Sequence, residues 1–186
     1  SGGATNSTIK FLAFANFGPA LRINTDSITV LGNYFGTDLT GIDTTGNQVY
    51  SSIYSINNDY LFIGDSTGLT RNIFANANDA HVYISNGTNI YIDHNNFGFA
   101  LDNTTTIGHA TLTNLQLGGI TNLYIRDNAV GGSNYGLFIG NITNFVMSHN
   151  FIGLSRTNVP NPNSIGLFSG QLTNAIIGDS VNAALG

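Results

Sequence analysis

The side chains that could carry chemistry in this chain are few and restricted in type. Its 186 residues include ten Asp, four His and five Lys or Arg, but neither Glu nor Cys. Thiolate nucleophiles and Cys-ligated metals are therefore excluded, and neither a phosphate-loop nor a His-Glu-Xaa-Xaa-His motif occurs. Any binding or reaction must depend on Asp, Arg, His and neutral polar groups that the fold brings together.

One acid and one cation hold matching places in two similar segments. Asp93 ends the run Ile-Tyr-Ile-Asp, and Arg126 ends Leu-Tyr-Ile-Arg. If the segments are adjacent strands, the two side chains are neighbours. Glycoside hydrolases need a pair of carboxylic acids, so Asp93 and Arg126 are candidate catalytic residues that form only an incomplete site.

Two further acids could hold a metal. Asp38 and Asp43 lie five residues apart in the loop Thr-Asp-Leu-Thr-Gly-Ile-Asp. Loop carboxylates and carbonyls are the usual ligands of calcium, so this pair is a candidate calcium site. A polar turn explains the same spacing and is the preferred interpretation. No other cofactor is predicted.

The composition excludes several classes of protein. The net charge is -5 and the five cations are scattered singly, so no basic surface for nucleic acid is predicted. No apolar run approaches the ~18 residues that a membrane span needs, and we expect no membrane insertion. We expect one domain over residues 1–186, a module of a longer extracellular or fibre protein.

The composition also favours strands over helices. Only 8% of residues are charged, against about 25% in average soluble proteins. The chain has 27 Asn and 23 Gly, with many Thr, Ile, Phe and Tyr. Asn and Gly favour turns and the others favour strands. With 41% hydrophobic residues, the chain can form a continuous core.

A repeated segment runs through the sequence. Residues 28–36 read ITVLGNYFG, residues 90–98 read IYIDHNNFG and residues 145–153 read FVMSHNFIG, with looser copies beginning at Leu61, Leu123 and Ala175. Apolar residues alternate in each copy, which is the period of a strand with one buried face. Thr-Asn pairs precede several copies and predict a second polar corner. The predicted turn residues, 22 to 33 residues apart, are Asn33, Ser66, Asn95, Asn128, Asn150 and Ser180.

This spacing of strands and Asn corners resembles that of the right-handed parallel β-helix of the pectin-lyase-like superfold. The run NYFGTDLTG at Asn33 is similar to repeats of bacterial surface and phage-fibre β-helices. The resemblance implies an all-β, single-stranded right-handed parallel β-helix of about six coils of 22–33 residues, with stacked corner Asn side chains. An antiparallel sandwich is the alternative, but it would not repeat one corner motif six times.

The position before each corner residue predicts a charged row along the stack. Acid and imidazole alternate there, and opposite charges on neighbouring strands attract by about 0.2 to 1 kcal/mol. Solvated corners with an accidental order are the alternative. The predicted row is Gly32, Asp65, His94, Asp127, His149 and Asp179.

The variable loops predict a binding notch. The loop after Asn128 is the shortest, so the longer loops on either side should leave a gap. Its walls are predicted to be Asp102, Asn103 and His109 on one side and Arg156 and Asn158 on the other, with Asn134 and Tyr135 as floor. An aromatic ring beside amides and a cation suits a sugar.

The expected function is a non-catalytic structural or adhesive β-helix module of a cell-surface, secreted or phage-fibre protein, which binds polysaccharide or surface glycans along its loop edge. The first alternative is a polysaccharide lyase or glycoside hydrolase. The second is an ice-binding solenoid, because Thr recurs at four of the corners. Exposed strand edges at the ends of a solenoid also predict end-to-end or trimeric self-association. The expected location is extracellular, on a cell surface or on a virion.

Overall fold

Every regular element in the described part of the chain is a β-strand. The computed structural model describes residues 6–108 and 112–178, and these residues contain no helix that could span a membrane. The strands are β1 (Ser7–Lys10), β2 (Ala13–Phe14), β3 (Pro19–Ile23), β4 (Ile28–Leu31), β5 (Tyr34–Phe35), β6 (Ser51–Gly64), β7 (Ile73–Phe74), β8 (Ala80–Asp93), β9 (Asn96–Phe97), β10 (Thr113–Arg126), β11 (Ala129–Val130), β12 (Tyr135–Ser148), β13 (Phe151–Ile152), β14 (Ile165–Ser169) and β15 (Leu172–Ile177).

These strands form two sheets in which each strand pairs in parallel with its counterpart in the next repeat. The larger sheet has the order β1-β4-β6-β8-β10-β12-β14, with β3 also beside β6 and β15 beside β12. The smaller sheet has the order β13-β11-β9-β7-β5-β2. The chain is therefore an all-β parallel solenoid, which confirms the predicted fold class. Within the described ranges, antiparallel pairing is confined to two isolated loop bridges, so the sandwich alternative is wrong.

The first polar corner does not interrupt the strands as predicted. In β6, β8, β10 and β12, fourteen residues run through the corner as one bent strand. In β8 the bend falls where Asn86 and Asn89 have φ of 58° and 57°. Asn tolerates this left-handed conformation better than most residues. Ladder pairing resumes immediately, as between Ile120 and Ile142 in β10 and β12.

The core is a column of apolar side chains between the two sheets. Successive coils stack Leu61, Ile90, Leu123 and Phe145 in register, and all four are almost fully buried. The smaller sheet adds a column of stacked rings, Phe14, Phe35, Phe74 and Phe97, whose centroids are 4.5 to 5.0 Å apart. This spacing is that of neighbouring strands, so the sheet itself sets the ring separation.

Candidate binding cleft

A ladder of buried Asn side chains holds the second corner of the coils in register. Each amide bonds to the next Asn and to backbone carbonyls. Asn95 Nδ2 donates to the carbonyl oxygens of Ile63 and Asp93 at 2.9 and 3.1 Å and to Asn128 Oδ1 at 3.0 Å. The rungs are Asn33, Asn72, Asn95, Asn128 and Asn150.

The second rung corrects the sequence interpretation. Asn72 takes the place predicted for Ser66, because β7 follows Asn72 and pairs with β5 and β9. Residues 65–70 are therefore an insertion in this coil, and Arg71 holds the position before the corner residue. Asp65-Ser66 follows β6 at the distance at which the corner residue follows the strand in other coils, and the sequence therefore predicts the corner there. In the structure the corner residue is Asn72, six residues later.

Asp65 caps this inserted loop and does not join the predicted charged row. Its carboxylate accepts hydrogen bonds from the backbone N–H groups of Thr67, Gly68 and Thr70 at 2.6 to 2.8 Å and from the Thr67 hydroxyl. Partial burial raises the pKa of Asp65, but these hydrogen bonds outweigh it and the net pKa is lowered. Asp65 is thus held ionised.

An outward column of aromatic rings crosses the larger sheet beside this loop. Phe62, Tyr91 and Tyr124 are register partners on β6, β8 and β10. Their rings are stacked with centroids 4.7 and 4.9 Å apart and planes within 5° of parallel. Sequence reasoning missed this column, although each ring stands at the same non-core position of its repeat. The signal in the sequence was an aromatic residue at the same outward position in three successive coils.

Asp93 and Arg126 form an ion pair next to these rings. Arg126 donates from Nε to Asp93 Oδ1 at 3.0 Å and from Nη2 to Oδ2 at 2.6 Å. The Asp93 side chain is 8% exposed and that of Arg126 is 38% exposed. The hydrogen bonds to Asp93 raise the pKa of Arg126. The guanidinium lies 5.6 Å from the Tyr124 ring centroid and 5.9 Å from that of Tyr91.

Two rings of the aromatic column, the ion pair and the first residues of the inserted loop line one open cleft of about 500 Å³. Its lining comprises Thr29, Leu31, Phe62, Ile63, Gly64, Asp65, Ser66, Tyr91, Asp93 and Arg126. Because Phe62 and Tyr124 cover the two faces of Tyr91, the column presents mainly ring edges as an apolar surface, and the ion pair and loop provide hydrogen-bonding groups. The two carboxylates are each occupied by donors of the protein. The pKa of Asp65 is lowered, whereas a general acid needs a carboxyl with a raised pKa.

The two long loops of the predicted notch contact each other. The Thr157 hydroxyl donates to the Asn103 carbonyl oxygen at 2.5 Å, and Asn161 Nδ2 donates to the Gly98 carbonyl oxygen at 2.9 Å. The loops therefore share one edge of the solenoid. Asp102 points into its own loop, where it accepts from the N–H groups of Thr104 and Thr105 at 2.9 Å. Backbone donation by Thr105, followed by Thr104, lowers the pKa of Asp102 to about 2.

The remaining notch residues have separate surroundings. Tyr135 packs edge-on against Phe138 and Phe168, with centroids 5.6 and 6.1 Å apart. The Asn134 carbonyl accepts from the Ile165 N–H at 2.8 Å. Arg156 donates from Nη2 to the Asp127 carbonyl oxygen. His109 lies outside the described residues. Sugar binding by these residues stays a prediction.

The charged row is formed in part. His94 Nε2 lies 3.8 Å from Asp127 Oδ2. Register places Arg71, which precedes Asn72, where Asp65 was predicted. The row therefore runs Gly32, Arg71, His94, Asp127 and His149, and Asp179 lies outside the described residues.

The candidate calcium ligands have donors within their own loop. Asp38 Oδ1 accepts from the Thr40 hydroxyl at 2.6 Å and from the Thr40 and Asp43 N–H groups at 3.1 and 3.2 Å. Asp43 Oδ1 accepts from the Thr45 N–H at 2.8 Å. Across residues 6–108 and 112–178, no three His or Asp side chains converge as metal ligands would. Calcium binding by Asp38 and Asp43 stays a prediction.

The cleft combines an apolar aromatic wall with a fixed ion pair. Comparisons of the chain with models of known protein families, with curated proteins and with solved structures found no match. The functional assignment therefore rests on the arrangement of side chains in this protein.

Proposed function

We propose that this chain is a non-catalytic β-helix module of an extracellular, cell-surface or virion protein, and that it binds polysaccharide through the cleft. In this proposal the pectin-lyase-like resemblance extends to the coil architecture and to sugar recognition, but not to bond cleavage. The observation that carries it is the outward column of Phe62, Tyr91 and Tyr124 beside the Asp93–Arg126 pair.

Sugar rings match this surface chemically. A pyranose has apolar C–H faces that stack on aromatic rings and hydroxyl groups that bond to charged or polar side chains. The cleft offers both within a few ångströms, since the Arg126 guanidinium lies over two of the rings. The stacked sheet keeps the rings rigid, so little side-chain entropy is lost on binding.

The cleft replaces the loop edge as the proposed centre of recognition. The loop edge has Asp102 turned into its own backbone and Thr157 bonded across to Asn103. In the cleft, Phe62 and Tyr91 line the wall beside the Asp93–Arg126 pair. The experiment described next also tests the alternative that glycans bind at the loop edge, through Tyr135 and Arg156.

The test is calorimetric titration with neutral and acidic oligosaccharides of defined length. We expect saturable binding to one class, reduced at least tenfold by Tyr91→Ala or Tyr124→Ala. Tyr50→Ala is the matched control, because Tyr50 is 55% exposed and does not line the cleft. Binding that survives Tyr91→Ala and Tyr124→Ala, but not Tyr135→Ala, would move the site to the loop edge.

The enzyme alternative is tested on the same ligands. Release of reducing ends, or absorbance from unsaturated products, would indicate hydrolase or lyase activity, and loss of that activity in Asp93→Asn would place it in the cleft. We expect no turnover, because both carboxylates of the cleft are held by donors of the protein. Product formation by the unmodified protein would overturn the non-catalytic assignment.

A further inference from the structure

The charged row brings two of the five cations of this acidic chain together. Arg71 stands one coil away from His94, and Asp127 follows in the next coil. Arg156, from the loop after β13, reaches into the same place and donates from Nη2 to the Asp127 carbonyl oxygen. In a chain with a net charge of -5, this convergence of positive groups is unexpected.

The inserted loop and the row are packed against each other. Gly68, three residues before Arg71, lies so close to the His94 ring that a Cβ there would be 2.6 Å from His94 Cδ2. Gly68 also has φ of 70°, so a side chain would be strained as well as crowded. The loop is therefore fixed to the row, and Arg71 is held beside His94.

The cluster carries donors that the protein does not satisfy. Within the described residues, Arg71 Nε, Arg156 Nε and His94 Nδ1 are buried without a hydrogen-bond partner. Neither guanidinium forms an ion pair with a described carboxylate, because Asp127 faces His94 and Asp93 is bound by Arg126. Buried polar groups without partners cost about 1–3 kcal/mol each, so three in one cluster require an explanation.

The electrostatics of the cluster favour an anion. Burial, and next the positive charge of Arg71, lower the pKa of Arg156 to about 10, and Asp127 only partly opposes them. Asp65, on the same loop, directs its carboxylate to backbone donors. The two guanidinium groups thus have no carboxylate of their own among the described residues, and both Arg side chains are partly buried.

We propose that Arg71 and Arg156, beside His94, form a binding site for an oxoanion, that is a sulfate, phosphate or carboxylate group. Arg presents several N–H donors in a planar fork that matches such groups. The site is separate from the aromatic cleft, since Arg71 is at the far end of the inserted loop whose first residues line that cleft. The oxoanion is either a free ion or a substituent of an acidic glycan. Only the second version rests on the proposed function.

The direct test follows the Arg Nε–H signals of the intact protein by NMR during titration with sodium sulfate, at constant ionic strength set with chloride. We expect the Arg71 and Arg156 signals to shift and saturate, while that of Arg22, which lies over Tyr54 on the sheet surface, does not. Signals that do not move, or that all drift together without saturation, would overturn the proposal.

Substitutions localise the effect. Arg71→Gln should weaken sulfate binding at least tenfold, and Arg22→Gln, which makes the same charge change, should leave it unaltered. If Arg156→Gln does not fold, Arg71→Gln together with the unmodified titration still decides the question. Equal sulfate affinity in Arg71→Gln and the unmodified protein would contradict the site.

A matched pair of oligosaccharides, one sulfated and one not, separates the two sources of the anion. Tighter binding of the sulfated form, abolished by Arg71→Gln, would assign the site to glycan recognition. Saturation by inorganic sulfate with no binding of either sugar would support a free-ion site and would count against the proposed function alone. Binding of the sulfated sugar that depends on Tyr91, with Arg signals that move neither with that sugar nor with inorganic sulfate, would contradict the oxoanion site alone.

Discussion

Two columns of aromatic rings run along this solenoid at nearly the same spacing, one inside and one outside. The inner column, Phe14, Phe35, Phe74 and Phe97, has centroids 4.5 to 5.0 Å apart, and the outer rings Phe62, Tyr91 and Tyr124 are 4.7 and 4.9 Å apart. The sheet imposes this distance on both. Their surroundings differ, since Phe35, Phe74 and Phe97 are fully buried and the outer rings keep one side toward solvent.

The two Asn ladders show the same contrast. The inner ladder joins buried amides to backbone carbonyls as well as to each other. The outer ladder, Asn89, Asn122, Asn144 and Asn174, has a single amide bond of 2.8 to 3.1 Å at each step. Stacking in register is thus common to both surfaces, and burial decides how much each stack stabilises the fold. The outer stacks can consequently serve binding at little cost to folding.

The largest expected effect comes from cutting the inner ring column. Phe74→Ala should lower the free energy of unfolding by about 3–5 kcal/mol, because a large buried ring is replaced by a cavity. The matched change outside, Tyr91→Ala, should cost about 1 kcal/mol or less. Denaturant unfolding of both variants measures the difference. Equal losses would mean that burial does not distinguish the two columns.

Removing one inner amide should have the next largest effect. Asn95→Ala removes one hydrogen bond from each of two backbone carbonyls and two neighbouring Asn side chains, at a cost of about 2–3 kcal/mol. The outer counterpart is Asn122→Gly, chosen because Asn122 has φ of 61° and Gly tolerates that conformation. We expect it to cost about 1 kcal/mol. Thermal and denaturant unfolding provide the measurement, and a larger loss in Asn122→Gly would reverse the ranking of the ladders.

Breaking the ion pair beside the outer rings should have a smaller effect on stability. Arg126→Met leaves the Asp93 carboxylate mostly buried without its partner, for a loss of about 1–2 kcal/mol; partial exposure of Arg126 keeps it low. Arg22→Met is the control, since Arg22 is exposed. Denaturant unfolding should show the loss of stability in Arg126→Met at low salt and at high salt. A variant as stable as Arg22→Met would show that the pair does not hold the cleft.

The smallest effect concerns acid. Asp102 is ionised more readily in the folded chain, with its pKa lowered from 3.8 to about 2 by hydrogen bonds from Thr105 and Thr104. A lowered folded pKa adds stability above the unfolded value, and that stability is lost as pH falls through the folded one. Asp102→Asn should therefore be slightly less stable than the unmodified protein at pH 7, and the difference should shrink as pH falls from 3.8 through about 2. A difference independent of pH would contradict this linkage.

The sequence by itself determined the repeat, the strand period and the corner Asn residues. Alternation of apolar residues and the recurrence of Asn at one place are local properties, because a strand and a bend each depend on a few neighbouring residues. The pairing of Asp93 with Arg126 also followed from the sequence, since both occupy one position of the repeat in adjacent coils.

Only the tertiary structure decided which residue of the second coil completes the ladder. Asp65-Ser66 and Arg71-Asn72 both stand before a short run that could enter the corner, and the choice depends on which run pairs with β5 and β9. Because β7 begins after Asn72, the six residues that start at Asp65 form a loop. Asp65 then caps this loop, and Arg71 lies beside His94. Long-range pairing and burial of the amide, which no local pattern encodes, therefore positioned both the cleft and the cationic cluster.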